Sequence, residues 1–218
     1  LSSDSYVIRQ EDDIVKRINY DATERKIKLF SKNLNDVLND SGYPDIGGMG
    51  LLKNKQLNLM EVGLGSVDEN VYFHMKFMSK NYRPLASLYA WRDYFKNAKI
   101  YGADIDKKIL KNSKNIKTYH VDMLSSKSVK LMWKKINKKI DIFIDDGFHS
   151  FEANSVLFNH SYKFLKKGGF YIIEDIHRKP SNIQKFYNFF KKKKIRFQII
   201  DIPHTNNFKD NCLIFIEK

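Results

Sequence analysis

The chain holds 218 residues, 42% hydrophobic and 14% aromatic, which suffices for one packed domain and excludes a disordered chain. Its 39 Lys and Arg against 25 Asp and Glu leave a formal net charge of +14, a balance that favours phosphate-bearing ligands, nucleic acid or an anionic membrane surface without choosing among them. A single cysteine, Cys212, excludes an internal disulfide and a thiolate metal cluster within one chain, and no apolar run approaches the roughly 20 residues of a membrane span.

The amino end, LSSDSYVIRQEDD, is too polar for a secretory signal, so a soluble, cytoplasmic protein is expected. Ile14, Ile18, Ile27, Leu34 and Leu38 then recur at mixed helical spacing, which predicts one or two amphipathic helices over residues 5 to 40. DSGYPDIGGMG, residues 40–50, stops them with glycine and proline. Residues 1–50 are thus expected to form a helical extension, a natural lid or dimer element, ahead of a domain over 51–218.

Seven β-type runs follow: LNLMEVG (57–63), KIYGADI (99–105), KTYHVDM (117–123), IDIFIDD (140–146), GFYIIED (169–175), FQIIDI (197–202) and CLIFIEK (212–218). Near-continuous apolar strands separated by helical stretches predict a mostly parallel sheet with helices on both faces. Only PHTNNFKDN joins the last two runs, too short for a crossover helix, so the last strand is expected to be antiparallel. A parallel sheet closed by an antiparallel hairpin resembles the Rossmann-like fold of class I S-adenosylmethionine-dependent methyltransferases. Cys212 reads as a buried, inert thiol, and the run Lys191 to Lys194 as a solvated helix end.

LMEVGLGS is a strand entering a glycine turn. Gly63 and Gly65 would admit close approach of a ligand to the backbone, and Glu61 would reach a ligand ammonium group or organise the loop. Asp104 ends the next strand, where a carboxylate accepts both hydroxyl hydrogens of an adenosine ribose, with Ile105 beside it; Asp106 would cap the helical turn starting at Lys107. Glu61 and Asp104 stand 43 residues apart, about twice the usual separation, so an insertion, SVDENVYFHMKFMSKNYRP, must lie between them. Asp122, after the third strand, reads equally as an adenine-side acid or a turn carboxylate.

DIFIDDGFHS, residues 141–150, and GFYIIEDIH, residues 169–177, carry the densest chemistry. Asp145, Asp146 and His149 follow the fourth strand, and Glu174 and Asp175 end the fifth. Neighbouring strands lie about 5 Å apart, so clusters 29 residues apart in sequence would converge at the edge where parallel sheets bind ligands. So many carboxylates repel one another unless a cation neutralises them. A hard divalent ion such as Mg²⁺, which prefers oxygen ligands, meets that need; the alternative is a set of turn, cap and solvated strand-end acids.

IDDGFHSFEANSVLF followed by LKKGGFYIIEDIH, together with SLYAWRDYFKNAKIYGADID, resembles the corresponding segments of the macrocin-like and mycinamicin-like sugar O-methyltransferases, metal-dependent members of that class I fold, over roughly residues 57 to 180. The resemblance implies S-adenosylmethionine and Mg²⁺ as cofactors. On it, Asp146, Glu174 and Asp175 match the metal ligands, His149 the catalytic base, and Glu61, Gly63, Ser87 and Asp104 the cofactor-binding segments, to which Gly65, Ile105, Asp122 and Asp145 are joined. Two departures, Phe148 in place of a small residue and the insertion after Gly65, fall on the acceptor side.

The implied acceptor is the hydroxyl of a sugar or of a phosphorylated or nucleotide-linked small molecule, in polysaccharide or natural-product biosynthesis. A small phosphorylated non-sugar acceptor, such as a phosphoramidate precursor, competes with it. A nucleic-acid methyltransferase or RNA-binding protein would use the positive charge, although the lysines are dispersed. A dinucleotide-dependent oxidoreductase would use Gly63 and Asp104 and leave the acidic cluster unexplained. His177 is expected to touch substrate, orient a ligand or bond at the surface; His74, His120, His160 and His204 are expected to be structural, and Trp91 and Phe95 to lie in the core.

Overall fold

The computed structural model describes residues 6–7, 52, 54–72, 74–76, 82–201 and 212–218. Its strands are β1 (Tyr6–Val7), β2 (Asn58–Val62), β3 (Lys99–Asp104), β4 (Ile116–His120), β5 (Ile140–Asp145), β6 (Leu165–Ile173), β7 (Gln198–Asp201) and β8 (Cys212–Glu217). Four described helices join them: α1 (Ala86–Tyr94), α2 (Ser126–Ile136), α3 (Phe151–Ser161) and α4 (Pro180–Lys192). The seven strands expected from the sequence are present, in the sheet order β1-β7-β8-β6-β5-β2-β3-β4.

Tyr6–Val7 lies where the sequence predicts the start of a helix. It is instead a two-residue strand, parallel to β7 at the sheet margin. The rest of the expected extension falls outside the described residues, as do His204 and most of the link between β7 and β8.

Every described pairing is parallel except those of β8, which runs antiparallel to both β6 and β7, as the short connection requires. Alternating strand residues feed two cores. Leu59, Ile100, Ile142 and Ile172 face α1 through Leu88 and Trp91. Met60, Phe143, Tyr171 and Ile173 face the other side, packed with residues of α2, α3 and α4 such as Trp133, Phe158 and Phe190. Trp91 and Phe95 are fully buried and stacked, and Cys212 is buried.

Local signals start and stop the helices as the sequence suggests. Ser125 and Ser150 cap α2 and α3 by accepting from the amides of Ser128 and Ala153, and Pro180 opens α4. Asn137 closes α2 in the left-handed conformation, φ 45°, and lysines fill the last turns of α2 and α4, opposite the negative end of each helix dipole. No described helix is long and apolar enough to cross a membrane.

Candidate active site

Parallel strands β2, β3, β4, β5 and β6 all deliver their carboxyl ends to one edge, and the loop after β2 is fastened there from three sides. The Leu64 amide donates to Asp104 Oδ2 at 2.6 Å, the Leu64 carbonyl accepts from the Leu85 amide at 3.0 Å, and the Gly63 amide donates to the Ala103 carbonyl at 2.9 Å. Gly63 has φ +95°, and a Cβ there would stand 2.0 Å from the Asp146 carbonyl oxygen. Gly65, φ +74°, lies under the Tyr82 hydroxyl, which a Cβ would approach to 2.0 Å. Backbone conformation favours glycine at both positions, and at Gly63 the facing backbone leaves no space for a side chain as well.

Glu61 is fully buried and accepts from the Trp91 indole at 2.8 Å. The bond ties β2 to α1. Asp104, also buried, accepts from the Asp106 amide through Oδ1 at 2.8 Å. Burial holds its carboxyl above the usual range against the pull of the Asp106 and Leu64 amides. Asp106 caps the turn at Lys107–Ile109 through the Lys108 amide and receives the Ser66 hydroxyl at 2.6 Å. Ile105 projects from this loop with a 46% exposed side chain, and Ser87 sits half-buried in the first turn of α1. Asp122 accepts from the Leu124 amide at 3.0 Å, while its own amide donates to Ser128 Oγ at 2.9 Å; it behaves as a turn carboxylate.

The acidic clusters meet beside this loop. The Asp146 amide donates to the Val62 carbonyl and the Glu174 amide to the Asp145 carbonyl, each at 2.9 Å, which locks the ends of β2, β5 and β6 together. Asp146, His149 and Asp175 each offer a ligand atom, and these atoms lie within 4.8 Å of one another. Donors around an octahedral Mg²⁺ at about 2.1 Å lie about 3–4 Å apart, so a small inward movement of side chains would let the two carboxylates share one ion. The two carboxylates fit a hard divalent cation, and the imidazole stands beside it. Glu174 is buried beside them and stands outside this close group. His149 and Asp175 both hold left-handed backbone, φ 47° and 51°. Non-glycine residues reach that conformation at a cost of about 1–3 kcal/mol, and such strain concentrates at functional sites.

Asp145 takes a different position from its neighbour. It points into the helix layer, fully buried, where Asn154 of α3 and Tyr171 of β6 are also buried. Burial pushes its carboxyl up to about 7, with Asn154 and His149 pulling the other way, and its charge and burial together push the Tyr171 phenol well above its ordinary value. Neither Asp145 oxygen makes a well-formed hydrogen bond, so Asn154 and Tyr171 act on it as nearby dipoles. With no exposed surface, Asp145 underlies the site rather than lining it.

Sequence reasoning passed over Asn154 and Tyr171. An asparagine among Ala153, Leu157 and Phe158 on the buried face of α3 was the available signal. It also passed over Tyr72, 80% exposed, whose ring lies 5.6 Å from that of Phe148 between Asp146 and His149. His177 accepts from the Lys179 amide at 3.1 Å, a surface bond.

No family model matches the chain. Among curated proteins it is similar to the 8-demethyl-8-alpha-L-rhamnosyl tetracenomycin-C 2'-O-methyltransferase of Streptomyces olivaceus, 28% identical over 127 residues that cover 57% of this chain and 30% of that protein. Mycinamicin VI 2''-O-methyltransferase of Micromonospora griseorubida is 27% identical over 124 residues, covering 57% of this chain and 28% of the relative. The matched stretch thus spans under a third of each relative's length. Among solved structures, MycE methyltransferase in complex with Mg, SAH and mycinamycin VI superposes with a TM-score of 0.54 at 18% identity, covering 92% of this chain and 62% of the other. An rRNA methylase from Streptococcus thermophilus superposes with a TM-score of 0.50 at 11% identity, covering 78% of this chain and 91% of the other. The fold is therefore that of the Rossmann-like methyltransferases, and the sequence likeness is to sugar O-methyltransferases.

Proposed function

We propose that the chain is an S-adenosylmethionine-dependent, divalent-metal-assisted O-methyltransferase that acts on a hydroxyl of a sugar-bearing small molecule. The observation that carries this reading is the approach of Asp146, His149 and Asp175 to within 4.8 Å beside a loop whose Gly63 leaves no room for a side chain. The methyltransferase likeness supports it.

When bound, S-adenosylmethionine supplies an electrophilic methyl group and the cation a Lewis acid that lowers the pKa of the acceptor hydroxyl. Asp146 and Asp175 would hold the cation, and Glu174, buried just after β6, would join them only by moving into the group. His149, in the same group of side chains, accepts the hydroxyl proton as the oxygen gains its methyl group. Gly63 and Gly65 let the backbone close on the donor, with Asp104, Ile105, Ser87 and Asp122 around it; Glu61 fixes the loop to α1 through Trp91. Holding both reactants at one strand edge provides much of the remaining acceleration.

Tyr72 and Phe148 give the acceptor side an apolar flank against which the C–H face of a sugar ring can pack. The sugar belongs to natural-product or surface-polysaccharide biosynthesis, with a phosphorylated small acceptor as the competing substrate. Transfer of labelled methyl from S-adenosylmethionine to a panel of glycosides, nucleotide sugars, phosphorylated small molecules and RNA, with and without EDTA, tests the reading. Metal-dependent labelling of a sugar is the expected result, and labelling of RNA alone would reject it.

A further inference from the structure

Among the described residues, a large share of the positive charge lies away from the site. Residues 134–139, 163–167, 191–196 and 218 carry thirteen of the 39 Lys and Arg and no acid. They occupy the C-terminal ends of α2 and α4, the turn after α3, the entries to β5 and β6, and the end of antiparallel β8. All of these lie at the amino edge of the sheet, opposite Asp146 and His149. Side-chain contacts hold part of this surface together: Lys139 Nζ donates to the Lys163 carbonyl at 2.8 Å, and Lys218 Nζ to the carbonyls of Tyr162 and Leu165 at 2.9 Å. The basic side chains are exposed except Lys166, which is half-buried and bridged to Asp141 at 2.8 Å.

We propose that this edge is a docking surface for an anionic lipid bilayer. Three features favour a bilayer over nucleic acid. Twelve of the thirteen cations are lysines, compact point charges suited to diffuse attraction, where phosphate and base recognition favours the arginine fork. The aromatic rings here are covered: Phe164 stacks on Trp133 at 4.3 Å and lies under Lys139 and Lys163, and Tyr162 lies under Lys218. No exposed large hydrophobic side chain among the described residues lies in these four segments, so nothing is presented for bases to stack on. Finally, a nucleic acid held by these cations would lie at the edge opposite the catalytic mouth, where the few cations, Lys107, Lys108, Arg178 and Lys179, stand among the acids Asp104, Asp106, Asp146 and Asp175. A protein seated on a bilayer by this surface keeps its reactive edge turned toward solution. The inference is independent of which acceptor is methylated.

Co-sedimentation of the full chain with vesicles of phosphatidylglycerol and phosphatidylcholine (30:70) tests it, against pure phosphatidylcholine, at 50 and 300 mM salt. Binding is expected only to the anionic vesicles, lost at the higher salt, and at least tenfold weaker in the K191Q/K192Q/K193Q/K194Q variant and in a K138Q/K139Q/K163Q/K167Q variant, each with unchanged thermal melting. Anisotropy with a duplex and a single-stranded RNA under the same conditions is expected to show weaker association than the anionic vesicles. Failure to bind anionic vesicles at 50 mM salt, undiminished binding by both folded variants, or tighter binding to RNA would each overturn the proposal.

Discussion

The two edges of this sheet are built from the same strands and differ in almost every physical respect. At the carboxyl edge, Glu61, Asp104, Asp106 and Asp145 are buried acids, His149 and Asp175 hold left-handed backbone, and Gly63 meets the Asp146 carbonyl closely enough to forbid a side chain. At the amino edge the charges are exposed lysines, placed where helix dipoles favour them. Stability alone would not generate the first pattern, because each buried acid and strained residue opposes folding. Left-handed backbone occurs at both edges, at Asn137 and Lys194 as well, so the burial of carboxylates, more than strain or net charge, marks where chemistry is done.

Substitutions at the two edges should therefore separate by size of effect. H149A and D146A are each expected to lower turnover by about 10²–10⁴-fold while S-adenosylhomocysteine still binds by calorimetry; near-normal turnover in either would remove the proposed roles. G63A should lower stability by about 2–4 kcal/mol in chemical denaturation, combining a left-handed backbone with a 2.0 Å clash. An unchanged midpoint would show that the loop gives way more easily than its packing suggests.

A pH series sharpens the contrast further. The Asp145 carboxyl titrates near 7 in the folded protein and near 3.9 when unfolded, so between those values the native state binds the extra proton. Its contribution to stability is fully present below the unfolded value and is lost as pH rises toward 7, by up to about 4 kcal/mol. D145N, neutral throughout, should flatten that window in the metal-free protein; an unaltered slope would assign the pH dependence elsewhere. W91F, which removes the indole donor to buried Glu61, should cost about 1–3 kcal/mol. Single Lys→Gln changes between Lys191 and Lys194 should stay within about 0.5 kcal/mol, the smallest effect of the set.

Much of this was legible in the chain. Strand runs such as LNLMEVG and CLIFIEK announce themselves because both faces are buried, and nine residues between the last two runs fix their antiparallel pairing. Asp146 and His149 could be brought near Asp175 on paper because adjacent parallel strands end at one edge. Less could be read about direction. Successive side chains along a strand alternate between faces, so Asp145 turns into the helix layer toward Asn154 and Tyr171 while Asp146 turns toward the site, and only the three-dimensional packing identifies those partners. Glu61 was readable as a loop organiser, but its bond to Trp91 depends on how α1 sits against β2. Tyr6–Val7 could not be anticipated, since two residues carry no periodicity.

β8 lies between β6 and β7, although it follows both in the chain. A nascent chain emerging from a ribosome therefore presents β6 with an open margin and β7 with no neighbour on its inner side until Cys212–Glu217 have cleared the exit tunnel. The sheet cannot zip up in chain order; the gap between β6 and β7 closes only when β8 enters it. That late closure calls for long-range pairing, which slows folding, and it exposes unpaired strand margins to other chains in the interval.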